Sequence, residues 1–182
     1  MKILTIYATK YGSTETVAGW INERFILGGH TAECKNVAGN PECGGYDAVL
    51  LGSGIYSHKF LSEMEQYIAS NIDALMLTKT ALFGVAMRTE TFFRRGNAYG
   101  GTVMLERYGA MLGQRCVAGR ILGGEMIFEK LSETDKHRLE KFYHSIALSE
   151  SEQATRKHPR TMLNKAQCWD FAEEVIDCLG KV

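Results

Sequence analysis

The sequence predicts an α/β fold in which a five-stranded parallel sheet carries helices on both faces. Short runs of β-branched and aliphatic residues alternate with amphipathic stretches from one end of the chain to the other. This alternation is typical of βα units and of a parallel sheet that is covered on both faces. With 182 residues, of which 45% are hydrophobic and 23% charged, the chain is long enough for one sizeable core. We therefore expect a single domain over residues 1–182.

Each apolar run accounts for one strand of this sheet. The predicted strands cover residues 2–8, 31–37, 47–53, 79–87 and 115–122. Between them, apolar residues recur at helical spacing at Val17, Trp20, Ile21 and Phe25, then at Met64, Tyr67, Ile68 and Ile72, and then at Met104, Tyr108, Met111 and Leu112. The segment 38–46 is too short and too rich in Gly and Pro for a crossover helix, so a loop with at most one turn is expected there.

Two further helices are predicted near the end of the chain. Ser132 with Asp135, and Asn164 with Gln167, have the spacing of residues that begin a helix. Both helices have an apolar face that indicates docking on the domain, formed by Leu139, Phe142 and Ile146 in the first and by Trp169, Ala172, Val175, Ile176 and Leu179 in the second. The polar stretch 149–160 between them is expected to be a loop.

Composition excludes several classes of protein. The chain has 21 basic and 21 acidic residues and a net charge of 0, which argues against nucleic acid as a partner. No apolar run is long enough for a transmembrane segment, and the apolar run in the first residues is too short for a secretory signal. The five cysteines are scattered without metal-ligand spacing, so no metal is expected. These features predict a cytoplasmic protein, with peripheral contact with a membrane and the oligomeric state left open.

The loop after the first strand has the composition of a phosphate site. Residues 9–14 place three hydroxyl side chains and one glycine directly before a helix. The N–H groups that begin a helix, together with the helix dipole, favour an anion at this point. The glycine patterns of P-loops and of dinucleotide-binding folds are lacking, so one phosphate group fits better than a diphosphate. The alternative is an ordinary βα turn with a Ser or Thr cap.

Together with two later segments, this loop resembles the FMN site of the flavodoxin superfamily. The later segments are the turn Gly52-Ser53-Gly54-Ile55-Tyr56 after the third strand and a Gly-rich, aromatic-bearing loop after the fourth. The resemblance implies a flavodoxin-like, doubly wound sheet with strand order 2-1-3-4-5, and FMN as the cofactor. Within the superfamily, the residues 36–37, 41–42, 46–47, 52–56 and 154–157, with Trp169 in the last helix, resemble the branch that includes the menaquinone-dependent protoporphyrinogen oxidase.

The resemblance also implies which residues bind FMN. The phosphate would be held by Thr9, Lys10, Tyr11, Gly12, Ser13 and Thr14. The side chain of Lys10 either pairs with the phosphate or is solvated. The flavin ring would lie against Ser53, Gly54, Ile55, Tyr56 and Ser57, with Tyr56 as the candidate for stacking. The loop after the fourth strand would add Met87, Arg88, Thr89, Tyr99 and Gly100. No catalytic side chain is predicted.

The same region of the chain has a concentration of positive charge. Over residues 88–120, six arginines are opposed only by Glu90 and Glu106, which gives a net charge of +4. Guanidinium groups bind carboxylates and phosphates well. Arg88, Arg94 and Arg95 are therefore candidates for a rim that receives an anionic substrate, a porphyrin propionate or an acidic partner. The alternative is that these arginines are solvated or paired within the chain.

Three functions follow from these observations. The first is an FMN-binding redox protein that exchanges electrons with a redox partner protein. The second is an FMN-dependent oxidoreductase of the menaquinone-dependent protoporphyrinogen oxidase type, acting on a quinone or porphyrin-type small molecule. The third is a flavodoxin-like binding module without flavin chemistry. The neutral charge argues against an ordinary flavodoxin, because flavodoxins resemble one another in being strongly acidic, and the intact hydroxyl-rich loop argues against the third function.

Overall fold

The fold is built around a sheet of five parallel strands. The coordinates are a computed structural model that describes residues 1–94 and 96–180, without the side chain of Arg94. The strands of the sheet are β1 (Lys2–Ala8), β2 (Thr31–Asn36), β3 (Ala48–Tyr56), β5 (Lys79–Ala86) and β8 (Cys116–Gly123). Their order in the sheet is β2-β1-β3-β5-β8. Counted among these five strands alone, this is the predicted order 2-1-3-4-5, so the doubly wound, flavodoxin-like α/β fold is confirmed.

Helices cover both faces of this sheet. The helices of the described residues are α1 (Ser13–Leu27), α2 (Ser62–Ser70), α3 (Ile72–Leu75), α4 (Glu106–Leu112), α5 (Glu133–Ser145), α6 (Glu150–Lys157) and α7 (Lys165–Gly180), with short 3-10 turns at Val37–Gly39, Gly101–Leu105, Gly113–Arg115 and Phe128–Lys130. Helices α1 and α7 pack on one face, and α2 and α4 pack on the other. The loop predicted between the second and third strands is present and contains only the turn Val37–Gly39. Among the described helices, none is both long and apolar enough to cross a membrane.

The two core layers arise because successive residues of a strand point to opposite faces. In β1, Ile3 packs with α1 and α7, whereas Leu4 and Ile6 pack with α2 and α4. All three side chains are fully buried. Burial of consecutive residues is what a parallel sheet between two helical layers requires.

The third strand is longer than predicted. We expected it to end at Ser53 and to be followed by a turn over residues 52–56, but β3 continues to Tyr56. The extension is stabilised by β4 (Lys59–Phe60), which pairs antiparallel with Ile55 and Tyr56. The turn lies instead at Ser57 and His58, both with positive φ angles of 50° and 64°. Two consecutive residues of this kind form the type I′ turn of a two-residue hairpin.

Two segments predicted as loops contain regular structure. The segment after the fourth predicted strand folds into a hairpin of β6 (Thr91–Arg94) and β7 (Asn97–Gly100), in which the rings of Phe92 and Tyr99 stack with centroids 5.7 Å apart. The polar stretch 149–160 contains α6, whose start is fixed by a capping box between Ser149 and Glu152. In both segments, contacts between nearby side chains stabilise regular structure although the composition is typical of a loop.

The region between β8 and α7 projects over one end of the sheet. It consists of β9 (Glu125–Met126), α5, α6 and β10 (Arg160–Thr161), and β9 pairs antiparallel with β10. We call residues 125–161 the covering segment. Of α5, only Tyr143 is buried, and Phe142 is 50% exposed. The predicted apolar face of α5 therefore does not enter the core, and its position is explained by the cavity described next.

Candidate cofactor site

A cavity of about 630 Å³ lies at the carboxyl ends of β1, β3 and β5. In sheets of this topology, ligands bind outside the carboxyl ends of the strands where the strand order reverses. Here that point lies between β1 and β3, because β2 is on one side of β1 and β3 on the other. The volume is within the range of cofactor pockets. The cavity is therefore at the place, and of the size, expected for a cofactor site.

The beginning of α1 provides free backbone donors at this cavity. The first N–H groups of a helix have no acceptor within the helix. Gly12 occupies the position before α1 with a φ angle of 93°, and no described side chain caps the helix there. The hydroxyl of Thr9 accepts a hydrogen bond from the N–H of Gly12 at 3.0 Å, which holds the loop in its tight turn. The uncapped N–H groups of the first turn are thus left for an anion.

Thr14 and Gly54 bring the phosphate loop, residues 9–14, against the third strand. The side chain of Thr14 is almost fully buried and lines the cavity. A Cβ atom on Gly54 would lie 3.0 Å from Cε2 of Tyr56 and 3.5 Å from Oγ1 of Thr14. The absence of a side chain at Gly54 therefore keeps open a narrow space between the hydroxyl and the aromatic ring.

Tyr56 forms part of the cavity wall above this space. Burial, followed by the nearby Tyr11 and Asp135 groups, raises the pKa of the Tyr56 phenol well above its usual value. The phenol stays neutral at physiological pH and can act as an aromatic wall, but not as a base. The ammonium of Lys10 lies 5.8 Å from the centre of the Tyr56 ring, within range of a cation–π contact.

The side chain of Lys10 is 38% exposed, and its charge is paired within the chain. Its ammonium pairs with Oδ2 of Asp135 in α5 at 2.5 Å. The same oxygen accepts a hydrogen bond from the Tyr11 phenol at 2.5 Å, and the phenol accepts one from the N–H of Ser132 at 3.1 Å. A further contact joins the loop to the covering segment, because the Ser13 hydroxyl accepts a hydrogen bond from the N–H of Glu125 at 3.1 Å.

The remaining walls of the cavity are mainly apolar. The covering segment contributes Glu125, Met126, Ile127, Lys130, Leu131, Asp135, Arg138, Leu139 and Phe142. On the opposite side, the hairpin of β6 and β7 contributes Phe92 and Gly100. The guanidinium of Arg88, which also lines the cavity, lies 4.4 Å from the centre of the Phe92 ring, within range of a cation–π contact. Apolar walls with a few polar groups at one end are suited to a planar ring that carries a polar chain.

The structure brings most of the predicted site residues to the cavity. Those that line it are Thr9, Lys10, Tyr11, Ser13, Thr14, Gly54, Ile55, Tyr56, Ser57, Met87, Arg88 and Gly100. Gly12, Ser53, Thr89 and Tyr99 do not line it. Ser53 is fully buried, and its hydroxyl accepts a hydrogen bond from the N–H of Leu61 at 2.9 Å. Of the predicted arginine rim, Arg95 and the side chain of Arg94 lie outside the described residues.

Sequence reasoning missed the contribution of the covering segment. The signal was present in α5, where Leu139 and Phe142 stand in an otherwise polar helix. We interpreted this pattern as a face docked on the core. The structure shows that these two side chains line the cavity instead. Arg138 and Asp135 belong to the same helix and reach the same cavity, but their spacing alone does not distinguish a cavity from solvent.

The fold and the site together define an α/β protein with a cavity, at the carboxyl end of its sheet, of the size expected for a mononucleotide. Residues 4–152 match the family model of the flavodoxin domain, so the chain belongs to the flavodoxin family. FMN is the cofactor of this family. No curated protein sequence is similar enough to count as a match.

Solved structures with the same fold include flavodoxins and a larger flavoprotein. Flavodoxin 2 from Bacillus cereus is 19% identical, with a TM-score of 0.58 and coverage of 97% of this chain and 99% of that chain. Oxidised flavodoxin 1 from the same organism is 16% identical, with a TM-score of 0.57 and coverage of 97% and 98%. A flavo di-iron protein from Thermotoga maritima is 12% identical, with a TM-score of 0.55, and 98% of this chain covers 36% of that protein. At these identities the likeness shows the fold.

The residues present fit FMN. The uncapped first turn of α1 and the buried Thr14 offer neutral donors for one phosphate group. The space that the absent side chain of Gly54 leaves beside Tyr56 suits the approach of a flat ring. Among the described residues, no group of His, Cys, Asp and Glu side chains is placed to hold a metal ion.

Proposed function

We propose that this protein transfers electrons through FMN bound in the cavity described above. The observation that carries the proposal is the opening of the uncapped N-terminus of α1 into the 630 Å³ cavity at the carboxyl ends of β1, β3 and β5. Bound FMN would supply the redox chemistry by taking up and giving up electrons. The protein would bind the phosphate, orient the ring and exclude water.

Different residues would bind the phosphate, orient the ring and exclude water. Thr9, Ser13 and Thr14, with the N–H groups of the first turn of α1, would hold the phosphate. Tyr56 would lie against the ring, and the strained turn of Ser57 and His58 would fix the edge of the cavity beside it. The side chains of Met126, Leu139 and Phe142 would exclude water from the other side.

Binding of flavins to the apoprotein tests the proposal. The purified protein should be yellow, and denaturation should release FMN and not FAD. Titration of the apoprotein with FMN, FAD and riboflavin, followed by quenching of flavin fluorescence, should give the tightest binding for FMN. A colourless protein whose apo form binds no added FMN would refute the proposal.

A specific observation favours a second candidate, an FMN-dependent oxidoreductase of the menaquinone-dependent protoporphyrinogen oxidase type. The covering segment adds an apolar wall, from Met126 to Phe142, and two arginines, Arg88 and Arg138, line the same cavity. An apolar space with guanidinium groups suits an amphipathic substrate that carries carboxylates. In this alternative, the protein would act on a small molecule of the quinone or porphyrin type. As an electron carrier, it would exchange electrons with a redox partner protein.

Direct assay of the FMN-loaded protein separates the two candidates. Oxidation of protoporphyrinogen with a menaquinone analogue as acceptor would support the enzyme. If the bound FMN is instead reduced by a ferredoxin-type reductase and protoporphyrinogen is not oxidised, the electron carrier is supported. In the enzyme, Arg88→Gln and Arg138→Gln should lower turnover per bound FMN. Lys141→Gln is the matched control, because Lys141 is exposed on α5 and does not line the cavity.

We also infer that the protein works in the cytoplasm. The five cysteines, Cys34, Cys43, Cys116, Cys168 and Cys178, are all free thiols, which is typical of proteins kept in a reducing compartment. Burial raises the pKa of the Cys34 and Cys168 thiols to about 11. These thiols therefore stay protonated and unreactive at physiological pH.

A further inference from the structure

Asp135 in the covering segment binds two residues of the phosphate loop. Its carboxylate binds the ammonium of Lys10 and the phenol of Tyr11, each at 2.5 Å through Oδ2. Its other oxygen lies 3.7 Å from the guanidinium of Arg138. Only 11% of the Asp135 side chain is exposed. A carboxylate this well covered keeps a fixed position when it is fully paired.

The partners of Asp135 are neighbours in the chain and lie directly before the first turn of α1. Lys10 and Tyr11 precede Gly12, whose left-handed φ angle of 93° starts the helix. The hydroxyl of Thr9 accepts a hydrogen bond from the N–H of Gly12, but no described side chain caps the helix itself. The contacts of Lys10 and Tyr11 with α5, together with the hydrogen bond between Thr9 and Gly12, therefore fix how the loop enters the helix.

We propose that Asp135 is a positioning residue for the FMN phosphate, which holds Lys10 and Tyr11 so that the first turn of α1 is preorganised for the anion. This proposal rests on the proposed function. Asp135 would not serve as a ligand of the phosphate, since carboxylate and phosphate repel each other. Its effect passes through the loop, because a loop that is already ordered loses less conformational freedom when it binds a ligand.

Substitutions at Asp135 test this role through the difference between FMN and riboflavin, which lacks the phosphate. In the apoprotein, Asp135→Ala should raise the dissociation constant of FMN by about tenfold or more, as expected for a lost charge-assisted contact, and leave that of riboflavin unchanged. Asp135→Asn, which still accepts a hydrogen bond, should have an intermediate effect. Glu133→Gln is the matched control, because Glu133 is 90% exposed in the same turn of α5 and pairs with Lys136.

A triple variant, compared with its double-variant background, shows whether Asp135 acts through the loop. In a Lys10→Met, Tyr11→Phe background, Asp135→Ala should cause little further loss of FMN affinity, because its partners are already removed. Equal FMN affinity in the wild-type protein and in Asp135→Ala would refute the proposal, and so would tighter FMN binding in both Asp135 variants or an equal loss of riboflavin. If the wild-type protein binds no FMN at all, the proposed function fails instead, so the two failures are distinguishable.

Discussion

The phenolic oxygen of Tyr108 accepts a hydrogen bond from the backbone N–H of Phe60 at 2.8 Å, and the two rings stack with centroids 4.1 Å apart. Tyr108 belongs to α4, and Phe60 belongs to β4, the strand that pairs back on the end of β3. The phenol also donates to a carboxylate oxygen of Glu65 in α2 at 2.7 Å. One buried side chain thus fixes the hairpin that carries Tyr56, Ser57 and His58 into the cavity.

Replacement of Tyr108 by Phe should therefore destabilise the protein. The stacking is retained, but the buried N–H of Phe60 loses its acceptor, which costs about 1–3 kcal/mol. The free energy of unfolding, measured by urea denaturation of the apoprotein, should fall by this amount. Tyr46→Phe is the control, because the Tyr46 phenol interacts with Lys35 at the surface, and an equal effect of both variants would contradict the assignment.

Gly52 gives a second prediction, about the packing of the sheet. A Cβ atom on Gly52 would lie 1.9 Å from Cζ of Phe83 on the adjacent strand β5, and Phe83 is fully buried. Gly52→Ala should lower the free energy of unfolding by about 1–3 kcal/mol through overpacking. In a Phe83→Leu background the same substitution should cost less, since the smaller side chain makes room.

Gly19→Ala is the matched control for Gly52. Gly19 is exposed in the middle of α1, and a Cβ atom there would have nothing within 4 Å. Alanine in an open helical position is better than glycine by about 0.5–1 kcal/mol. The two substitutions should thus have opposite signs in the same denaturation experiment, and destabilisation by both would argue against the close contact with Phe83.

The sequence predicted those elements whose pattern lies within a short stretch of the chain. The five strands were recognisable because buried parallel strands are apolar on both faces, as in β1. The β3–β4 extension was not recognisable, because Ser57 and His58 lack the Asn-Gly pattern of a type I′ turn. The start of α6 was overlooked, although Ser149 and Glu152 have the spacing of a capping box.

The candidate site was predicted where one loop carries the signal and missed where distant elements meet. The residues 9–14 adjoin one another in sequence, so their hydroxyl groups and the following helix were visible together. The contact between Lys10 and Asp135 joins residues 125 positions apart, as their numbers show. Nothing in the local composition of α5 indicates which carboxylate will face the cavity, because that depends on how the covering segment folds back.

Thr14 provides a direct test of the phosphate site. Thr14→Val preserves the shape of the buried side chain and removes its hydroxyl, so FMN should lose about 1.5–3 kcal/mol of binding free energy, the value of a hydrogen bond to a charged group. This corresponds to roughly 10- to 150-fold in the dissociation constant. Riboflavin, without the phosphate, should bind the variant and the wild-type protein equally.

Thr16→Val is the matched control for Thr14. The Thr16 hydroxyl lies on the exposed side of the same turn and donates to the carbonyl of Gly12 at 3.3 Å. Its removal should leave the dissociation constant of FMN nearly unchanged. A Thr14→Val protein that binds FMN as tightly as the wild type would place the phosphate elsewhere.

Acid titration of stability tests the environment of Asp135. Although burial acts to raise it, the hydrogen bonds from Lys10 and Tyr11 and the charges of Lys10 and Arg138 hold the pKa of Asp135 below the value of 3.8 expected for an isolated aspartate. A carboxyl group whose pKa is lower in the folded than in the unfolded state stabilises the fold above its unfolded pKa. That contribution is lost as the pH falls through the folded pKa.

The free energy of unfolding of the wild-type apoprotein should therefore exceed that of Asp135→Asn at about pH 6, and the difference should shrink between about pH 4 and about pH 2. Urea denaturation at each pH measures it, with Glu133→Gln as the control. A difference that stayed constant down to the lowest pH would show that the carboxylate of Asp135 gains nothing from its partners in the folded state.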